Sequence, residues 1–282
     1  MTSRFLPKDF HPTDEVCLIA GRGSYPFLSA AEMQRLKIPI HLVCLEGETS
    51  PELFSSFNFL SHQQIKVGQM GRMLRAVRDS GARHVLMVGQ IRPGKLFRGM
   101  HPDLKAIRIL SSLRERNAHT IFRAVVSEIE GIGAQVLDAR AFLHEHLASE
   151  GPMVGKMSGR EMEEIKIGIH KTKQVSALDI GQGLVMSGGT VLAVEGFDGT
   201  DAMLERCKAF STREKLFIKV AKPEHDFRFD VPVFGERTIA SLKSGGINKV
   251  ALEADRTLLL DKPRILRLAK KNGIRMVGFC PG

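Results

Sequence analysis

The sequence predicts an α/β protein of two domains. Three observations carry that expectation. Short apolar runs alternate with helical patterns. The runs end in glycine. A stretch rich in Gly, Ser and Pro near residue 150 separates two such series. Strands alternating with helices imply a parallel sheet covered by helices. A chain of 282 residues, 43% of them hydrophobic, suffices for two cores.

Taken in order, GluValCysLeuIleAla at 15–20 reads as a buried strand. The turn Gly21-Arg22-Gly23-Ser24-Tyr25-Pro26 follows, then a helix to about Lys37. Residues 39–45 read as a second strand and 65–67 as a short third. An amphipathic helix runs over 70–79, and 84–88 is another strand before Gly89. Helices at 103–115 and 119–130 and a strand at 134–137 complete a first domain, residues 1–149. Residues 148–159 have linker composition. The second domain, 150–282, opens with a helix over 160–176, followed by short strands rich in Val, Leu and Gly. Helices near 201–209, 236–244 and 263–272 are then interleaved with strands at 248–253, 257–260 and 274–279.

The formal net charge is +10. Such a surface attracts phosphates, nucleic acid or anionic lipid. With no Trp and one Tyr, stacking platforms are scarce, and the basic residues are spread along the chain. Nucleic acid is therefore not an expected partner. No apolar run reaches the roughly 20 residues that a bilayer span needs. The first residues lack the apolar core of a secretion signal. Both points predict a cytosolic protein. The four cysteines form no Cys-x-x-Cys pair, and Cys17 and Cys44 lie in apolar runs, as reduced core residues do.

Ligands of parallel sheets bind at the carboxyl ends of strands. In the first half those ends are Gly21–Gly23, Gly68–Gly71 and Gly89–Arg92, with Gln90 among the candidate binding residues. Gly21-x-Gly23-x-x-Pro26 resembles a dinucleotide fingerprint with Pro in place of the third Gly, and Glu46 stands where a ribose partner would. It fits a phosphate site at a helix start or a plain tight turn.

Three runs in the second half have one form: AlaLeuAspIleGlyGlnGly (177–183), ValLeuAlaValGluGlyPheAspGlyThrAspAlaMetLeu (191–204) and LysValAlaLysPro to PheAspValPro (219–232). In each, an apolar stretch ends in glycine beside polar groups. Asp179 and Gln182 read as ligand contacts or as a capped turn. Thr200 and Asp201 read as ligand contacts or as the first turn of a helix, with Asp198 or Thr200 as cap. Glu195 ends an apolar strand, where a carboxylate needs a partner. Asp230 lies between Phe229 and ValProVal, which fits a salt bridge to Arg228 or Arg237 or a functional acid. Magnesium takes one or two carboxylates plus water and substrate phosphates. Asp230 and Glu195 are the candidate metal ligands. Lys222 and Lys156 are candidates for phosphate charge. HisGluHis at 144–146 spaces its histidines onto different helix faces, against a joint metal site.

These runs, with LeuIleAlaGlyArgGlySerTyrPro near the start and GlyGlyIleAsnLysValAlaLeuGluAla at 245–254, resemble the LpxI-type UDP-2,3-diacylglucosamine pyrophosphatases of lipid A biosynthesis. The resemblance covers roughly residues 15–280. It implies a Rossmann-like N-terminal domain with a parallel sheet and a second α/β (α+β) domain of the family's own type. It further implies a homodimer, a ligand held between the domains and magnesium or another divalent ion. The implied reaction splits UDP-2,3-diacylglucosamine into UMP and the lipid 1-phosphate. Asp230 matches the family's essential Asp; Lys222, read from the residues themselves, is the second expected catalytic residue, neutralising phosphate charge. Gly21, Gly23, Gln90, Lys156, Asp179, Gln182, Thr200 and Asp201 are the expected substrate contacts. A cytoplasmic enzyme peripheral to the anionic inner membrane follows from the lipid substrate. Two places differ from the family pattern. Asn117-Ala118-His119 stands where Gly-Asp-Asp is usual, and Arg140-Ala141-Phe142 where a His-Glu pair is usual. The alternatives are a non-catalytic or altered-specificity homologue that binds a nucleotide-sugar or lipid, and a nicotinamide-dependent oxidoreductase.

Overall fold

The computed structural model describes residues 3–92, 102–115, 117–212, 214–223 and 225–280. They form an α/β protein of two compact units: residues 1–143 with 227–229, and residues 144–226 with 230–282.

Unit 1 holds five parallel strands: β1 (Val16–Ala20), β2 (Ile40–Leu45), β3 (Ser61–Ile65), β4 (His84–Val88) and β5 (Gln135–Val136). Their order is β3-β2-β1-β4-β5, the doubly wound arrangement in which the chain reverses direction between β1 and β4. The helices are α1 (Tyr25–Arg35), α2 (Pro51–Ser56), α3 (Met70–Ser80), α4 (Leu104–Ser112) and α5 (Ala118–Glu130). Central β1 is buried along its whole length, which is why it reads as an unbroken apolar run. Cys17 and Ile19 face a core with Met73, Leu74 and Val77 of α3 and Val126 and Ile129 of α5. Each such side chain contributes roughly 1.5–3 kcal/mol by leaving water. Gly81 stops α3 with a φ of 72°, a conformation that glycine takes without a Cβ clash.

Two expectations shift in this unit. The third strand is Ser61–Ile65 rather than 65–67. It pairs only with β2, so SerHisGlnGln can stay exposed and gives no apolar signal. The short helix α2 also lacked a periodic pattern. Cys17, Cys44 and Cys207 are free thiols, and burial pushes the Cys17 pKa up to about 12.

Unit 2 has a six-stranded sheet in the order β6-β13-β11-β9-β7-β8. Its strands are β6 (Gly151–Val154), β7 (Gly183–Ser187), β8 (Thr190–Val194), β9 (Leu216–Lys219), β11 (Lys249–Glu253) and β13 (Arg275–Phe279). Strands β9, β11 and β13 are parallel, while β6, β7 and β8 run antiparallel to their neighbours. A small parallel pair, β10 (Val233–Phe234) and β12 (Leu258–Leu259), stands apart. The helices are α6 (Gly159–Ala177), α7 (Gly199–Arg206), α8 (Glu236–Ser244) and α9 (Lys262–Lys271).

The sheet is buried on both faces. Leu184, Met186, Ile218, Ala251 and Val277 meet Ile165 and Ile169 of α6. The alternate residues Val185, Phe217, Val250, Leu252 and Met276 meet Met203, Leu204, Leu242, Ile265 and Ala269 of α7 to α9. The segment with linker composition contains β6, an edge strand that accommodates Pro152 because one side needs no ladder donor. A capping box between Ser158 and Glu161 then starts α6.

Candidate active site

The carboxyl ends of β9 and β11 share one edge of the unit 2 sheet. The start of β7 and the end of β8 lie there too, because both flanking pairs are antiparallel. That edge gathers the polar groups.

Helix α6 ends at Ala177, and Asp179 follows with a φ of 57°, a left-handed conformation that Asp tolerates better than most residues. The loop then runs to Gln182, whose carbonyl accepts from Val220 N–H at 2.9 Å. Gly181 is required here, since a Cβ would lie 2.1 Å from the Glu195 carbonyl oxygen.

The loop after β9 supplies the facing groups. Lys222 pairs through Nζ with Asp179 Oδ1. The Lys222 backbone N–H donates to His225 Nδ1 at 3.3 Å. That assigns the ring proton to Nε2, which donates to the Asp230 carbonyl oxygen at 2.6 Å. The same nitrogen lies 3.4 Å from Asp230 Oδ2, and Gln182 Nε2 donates to that oxygen at 3.3 Å. Asp179, Lys222, His225, Asp230 and Gln182 thus form a chain of contacts, which the backbone of the 179–182 loop closes into a ring. The imidazole is buried at 1% exposure, while the Asp230 side chain keeps 37%. The two arginines expected as partners of Asp230 meet other acids: Arg228 meets Glu130 at 2.9 Å and Arg237 meets Asp201 at 3.3 Å.

A second cluster lies on the same edge. Lys219 Nζ donates to Thr200 Oγ1 at 2.8 Å, and Thr200 donates to Glu195 Oε1 at 2.5 Å. Glu195 Oε2 is buried without a hydrogen bond, 3.7 Å from the Lys219 ammonium. Gly183 leaves room for it, since a Cβ there would lie 2.7 Å from that oxygen. Asp201 turns to α8, where Thr238 and Arg237 meet it. Asp198 occupies the N-cap position of α7 without a side-chain cap bond and pairs with Arg206. Lys156 is exposed on the turn after β6, and its carbonyl accepts from Arg275 at 3.2 Å. Leu178 and Ile180, on either side of Asp179, are exposed, as is Phe197.

Behind both clusters Glu253 ends β11, fully buried. Lys173 Nζ meets its two oxygens at 2.9 and 2.7 Å, and Ala221 N–H donates to it at 2.7 Å. Sequence reasoning passed over Glu253 and His225. Glu253 ends an apolar strand just as Glu195 does, and His225 stands three residues beyond Lys222 in a polar run.

In unit 1, Gly21 and Gly89 let two strand-end loops cross. A Cβ on Gly21 would lie 2.6 Å from the Gln90 carbonyl oxygen, and one on Gly89 would lie 2.8 Å from the Gly21 carbonyl carbon. Arg22 and Gln90 exchange backbone bonds at 2.8 and 3.1 Å, and Gly21 N–H donates to Val88. The Gly21 requirement is thus met inside the chain, whereas Gly23, with a φ of 95°, has open space around it. Glu46 is exposed, and the buried acid after β2 is Glu48, which accepts from Arg92 Nε at 2.9 Å. At the two places that differ from the family pattern, Asn117 caps α5 by accepting from Thr120 N–H, and Arg140 pairs with Asp138 and covers the Phe227 ring.

Asp230 is partly open and, among the described residues, its carboxylate is met by an amide and an imidazole, so it fits an ion held mainly by water and substrate oxygens. The Glu195 carboxylate already faces a lysine ammonium where a metal charge would sit. Among the described residues no three His, Cys, Asp or Glu side chains are grouped for metal binding.

The fold and this edge define a two-domain α/β protein whose polar groups converge where strands end. More specifically, the chain belongs to the LpxI family: residues 15–146 match the LpxI N-terminal domain and residues 149–277 the LpxI C-terminal domain. It is similar to a Caulobacter vibrioides protein named UDP-2,3-diacylglucosamine pyrophosphatase LpxI. The two are 28% identical over 278 residues, spanning 94% of this chain and 97% of the relative.

Proposed function

We propose that this chain is a hydrolase that splits the pyrophosphate of UDP-2,3-diacylglucosamine into UMP and 2,3-diacylglucosamine 1-phosphate, in lipid A biosynthesis. The observation that carries the reading is the ring of Asp179, Gln182, Lys222, His225 and Asp230 at the strand ends. It comes from a chain whose family match spans both units.

Pyrophosphate hydrolysis needs an aimed water and neutralised phosphate oxygens. Asp230 orients the water and takes its proton as the water oxygen bonds to phosphorus. The bridging P–O bond breaks and the leaving phosphate departs with its electron pair. Gln182 and His225 hold the Asp230 carboxylate in place. Lys222 leaves or shares its ion pair with Asp179 to meet phosphate charge. Asp230 would hold a magnesium ion, which would supply further neutralisation of phosphate charge. Thr200, Lys219 and Glu195 form a polar wall on the same edge, while exposed Leu178, Ile180 and Phe197 offer apolar surface to an acylated sugar. Gly23, Gln90, Lys156 and Asp201 stay in the substrate-binding set as secondary contacts. The protein works as a homodimer in the cytoplasm, meeting its lipid substrate at the anionic inner membrane. No described helix is long and apolar enough to cross that membrane.

The test is UMP release from UDP-2,3-diacylglucosamine by the purified chain with magnesium. Asp230→Asn lowers the rate about 10²–10⁴-fold if Asp230 is the base. Equal rates for the two proteins would falsify the assignment.

A further inference from the structure

Strand β9 leaves the sheet after Lys219, one residue before β11 ends, because the last ladder pair is Leu252 with Lys219. Ala221 lies beyond that pair, yet it is buried. Its backbone N–H and C=O must therefore find partners without a neighbouring strand. One ion pair supplies both. Glu253 Oε2 accepts from Ala221 N–H at 2.7 Å, and Lys173 Nζ donates to the Ala221 carbonyl oxygen at 2.9 Å. Lys173 and Glu253 are joined to each other at 2.7 and 2.9 Å, and Arg256 Nε adds a contact to Glu253 Oε1 at 3.3 Å.

The position of this clamp is what gives it meaning. Ala221 immediately precedes Lys222, whose own N–H holds His225. Lys173 lies one turn before the end of α6, and the loop with Asp179 and Gln182 begins where that helix stops. The pair therefore grips the roots of both loops of the ring. A charged pair suits this task, since its acceptor and donor ends fix the direction of one peptide unit. A buried ion pair is otherwise weak evidence for stability.

We propose that Lys173 and Glu253 are positioning residues of the active site: they set the height of Lys222 and His225 against Asp179 and Asp230 without touching substrate. The role in turnover rests on the hydrolase reading above, while the clamp itself can be measured apart from it.

The experiment follows the Ala221 amide by NMR hydrogen exchange alongside steady-state UMP release. It compares the wild-type chain, Glu253→Gln, Lys173→Arg and the double variant Lys173→Met with Glu253→Leu. The double variant removes both charges, so it leaves neither lysine nor carboxylate buried alone. Its Ala221 amide loses protection, and kcat falls about 100-fold, as a displacement of about 1 Å produces. KM rises much less than kcat falls. Lys173→Arg keeps the ion pair and recovers most of the rate. Lys249→Met serves as the control, because it removes a still more deeply buried cation from the opposite end of β11 and should keep kcat below its melting temperature.

Retained Ala221 protection and kcat in the double variant would overturn the proposal, as would an equal loss of kcat in Lys249→Met. Should the double variant not fold, Glu253→Gln and Lys173→Arg carry the same comparison: loss in the first with recovery in the second supports the clamp, and equal behaviour contradicts it. A wild-type chain that releases no UMP sinks the hydrolase reading, and the exchange data then decide the clamp alone.

Discussion

The two ends of β11 each carry a buried cluster of charged side chains, and the clusters differ in what they hold. At the amino end Lys249 sits 2.9 Å from Glu214, 3.4 Å from Glu164 and 3.7 Å from Glu161. Arg275 adds a close pair with Glu161 at 2.6 Å. The Arg275 hydrogen bond, against a burial penalty, draws Glu161 down to about 2. Burial works against the Lys249 charge, but the Glu214 hydrogen bond and the three acids raise its pKa above the ordinary value. These groups bind one another, the start of α6 and the starts of two strands. At the carboxyl end Glu253 and Lys173 bind a loop that presents Lys222, His225 and Asp230. A perturbed titration is therefore no guide to the active end of this sheet. What distinguishes the carboxyl end is polar side chains that remain open beyond the clamp.

Substitutions at each end sharpen or break that contrast. After Asp230→Asn, the largest effect falls on Lys222→Ala, which should lower kcat/KM for UMP release about 10²–10³-fold, the usual loss for one preorganised charge donor. A steady-state assay that finds less than a tenfold loss would move the phosphate-binding role to Lys219 or Lys156. Next comes Lys249→Met, which strands carboxylates at the amino end. It should cost about 3–5 kcal/mol in denaturant unfolding, as breaking a buried pair does, with kcat unchanged below the transition. A loss of kcat there would erase the difference between the ends. Gly181→Ala follows, costing about 1–3 kcal/mol by overpacking. Its Cβ must displace the Glu195 carbonyl, so turnover should fall as well. A variant with wild-type stability and rate would show that the loop has room.

The smallest effect is the pH dependence of Glu161. Its folded pKa is depressed, so its stabilisation is present above the ordinary value of 4.5 and is lost as pH falls from there toward about 2. Thermal unfolding should show wild-type stability declining through that window more steeply than Glu161→Gln. Parallel curves would remove Glu161 from the amino-end account.

The sequence made most of this contrast readable, and the exceptions have physical causes. Central strands such as β1 and β11 are buried on both faces, so they appear as continuous apolar runs with glycine or an acid at their ends. Helix α3 is legible because Met73, Leu74 and Val77 recur on one face. Edge strands carry no such mark: Ser61–Ile65 is nearly all polar, and Gly151–Val154 lies inside a stretch that reads as linker. Asp179, Gln182, Lys222 and Asp230 were legible as polar groups where apolar stretches stop, and they meet in one ring. Glu195 was legible as an acid in need of a partner, but Lys219 as that partner depends on strand order, which spacing does not reveal. The crossing of Gly21 with Gly89 is likewise set by sheet order, since β1 and β4 are neighbours only after folding. The Lys173–Glu253 clamp was hidden for the same reason, because its meaning comes from β9 ending one residue early.

The most direct measurement places the two ends side by side: initial rates of UMP formation from UDP-2,3-diacylglucosamine for Asp230→Asn and Lys249→Met, at a temperature where both are folded. The account predicts that Asp230→Asn is nearly inactive while Lys249→Met turns over like the wild-type chain. Similar rates in the two variants, whether both high or both low, would contradict it.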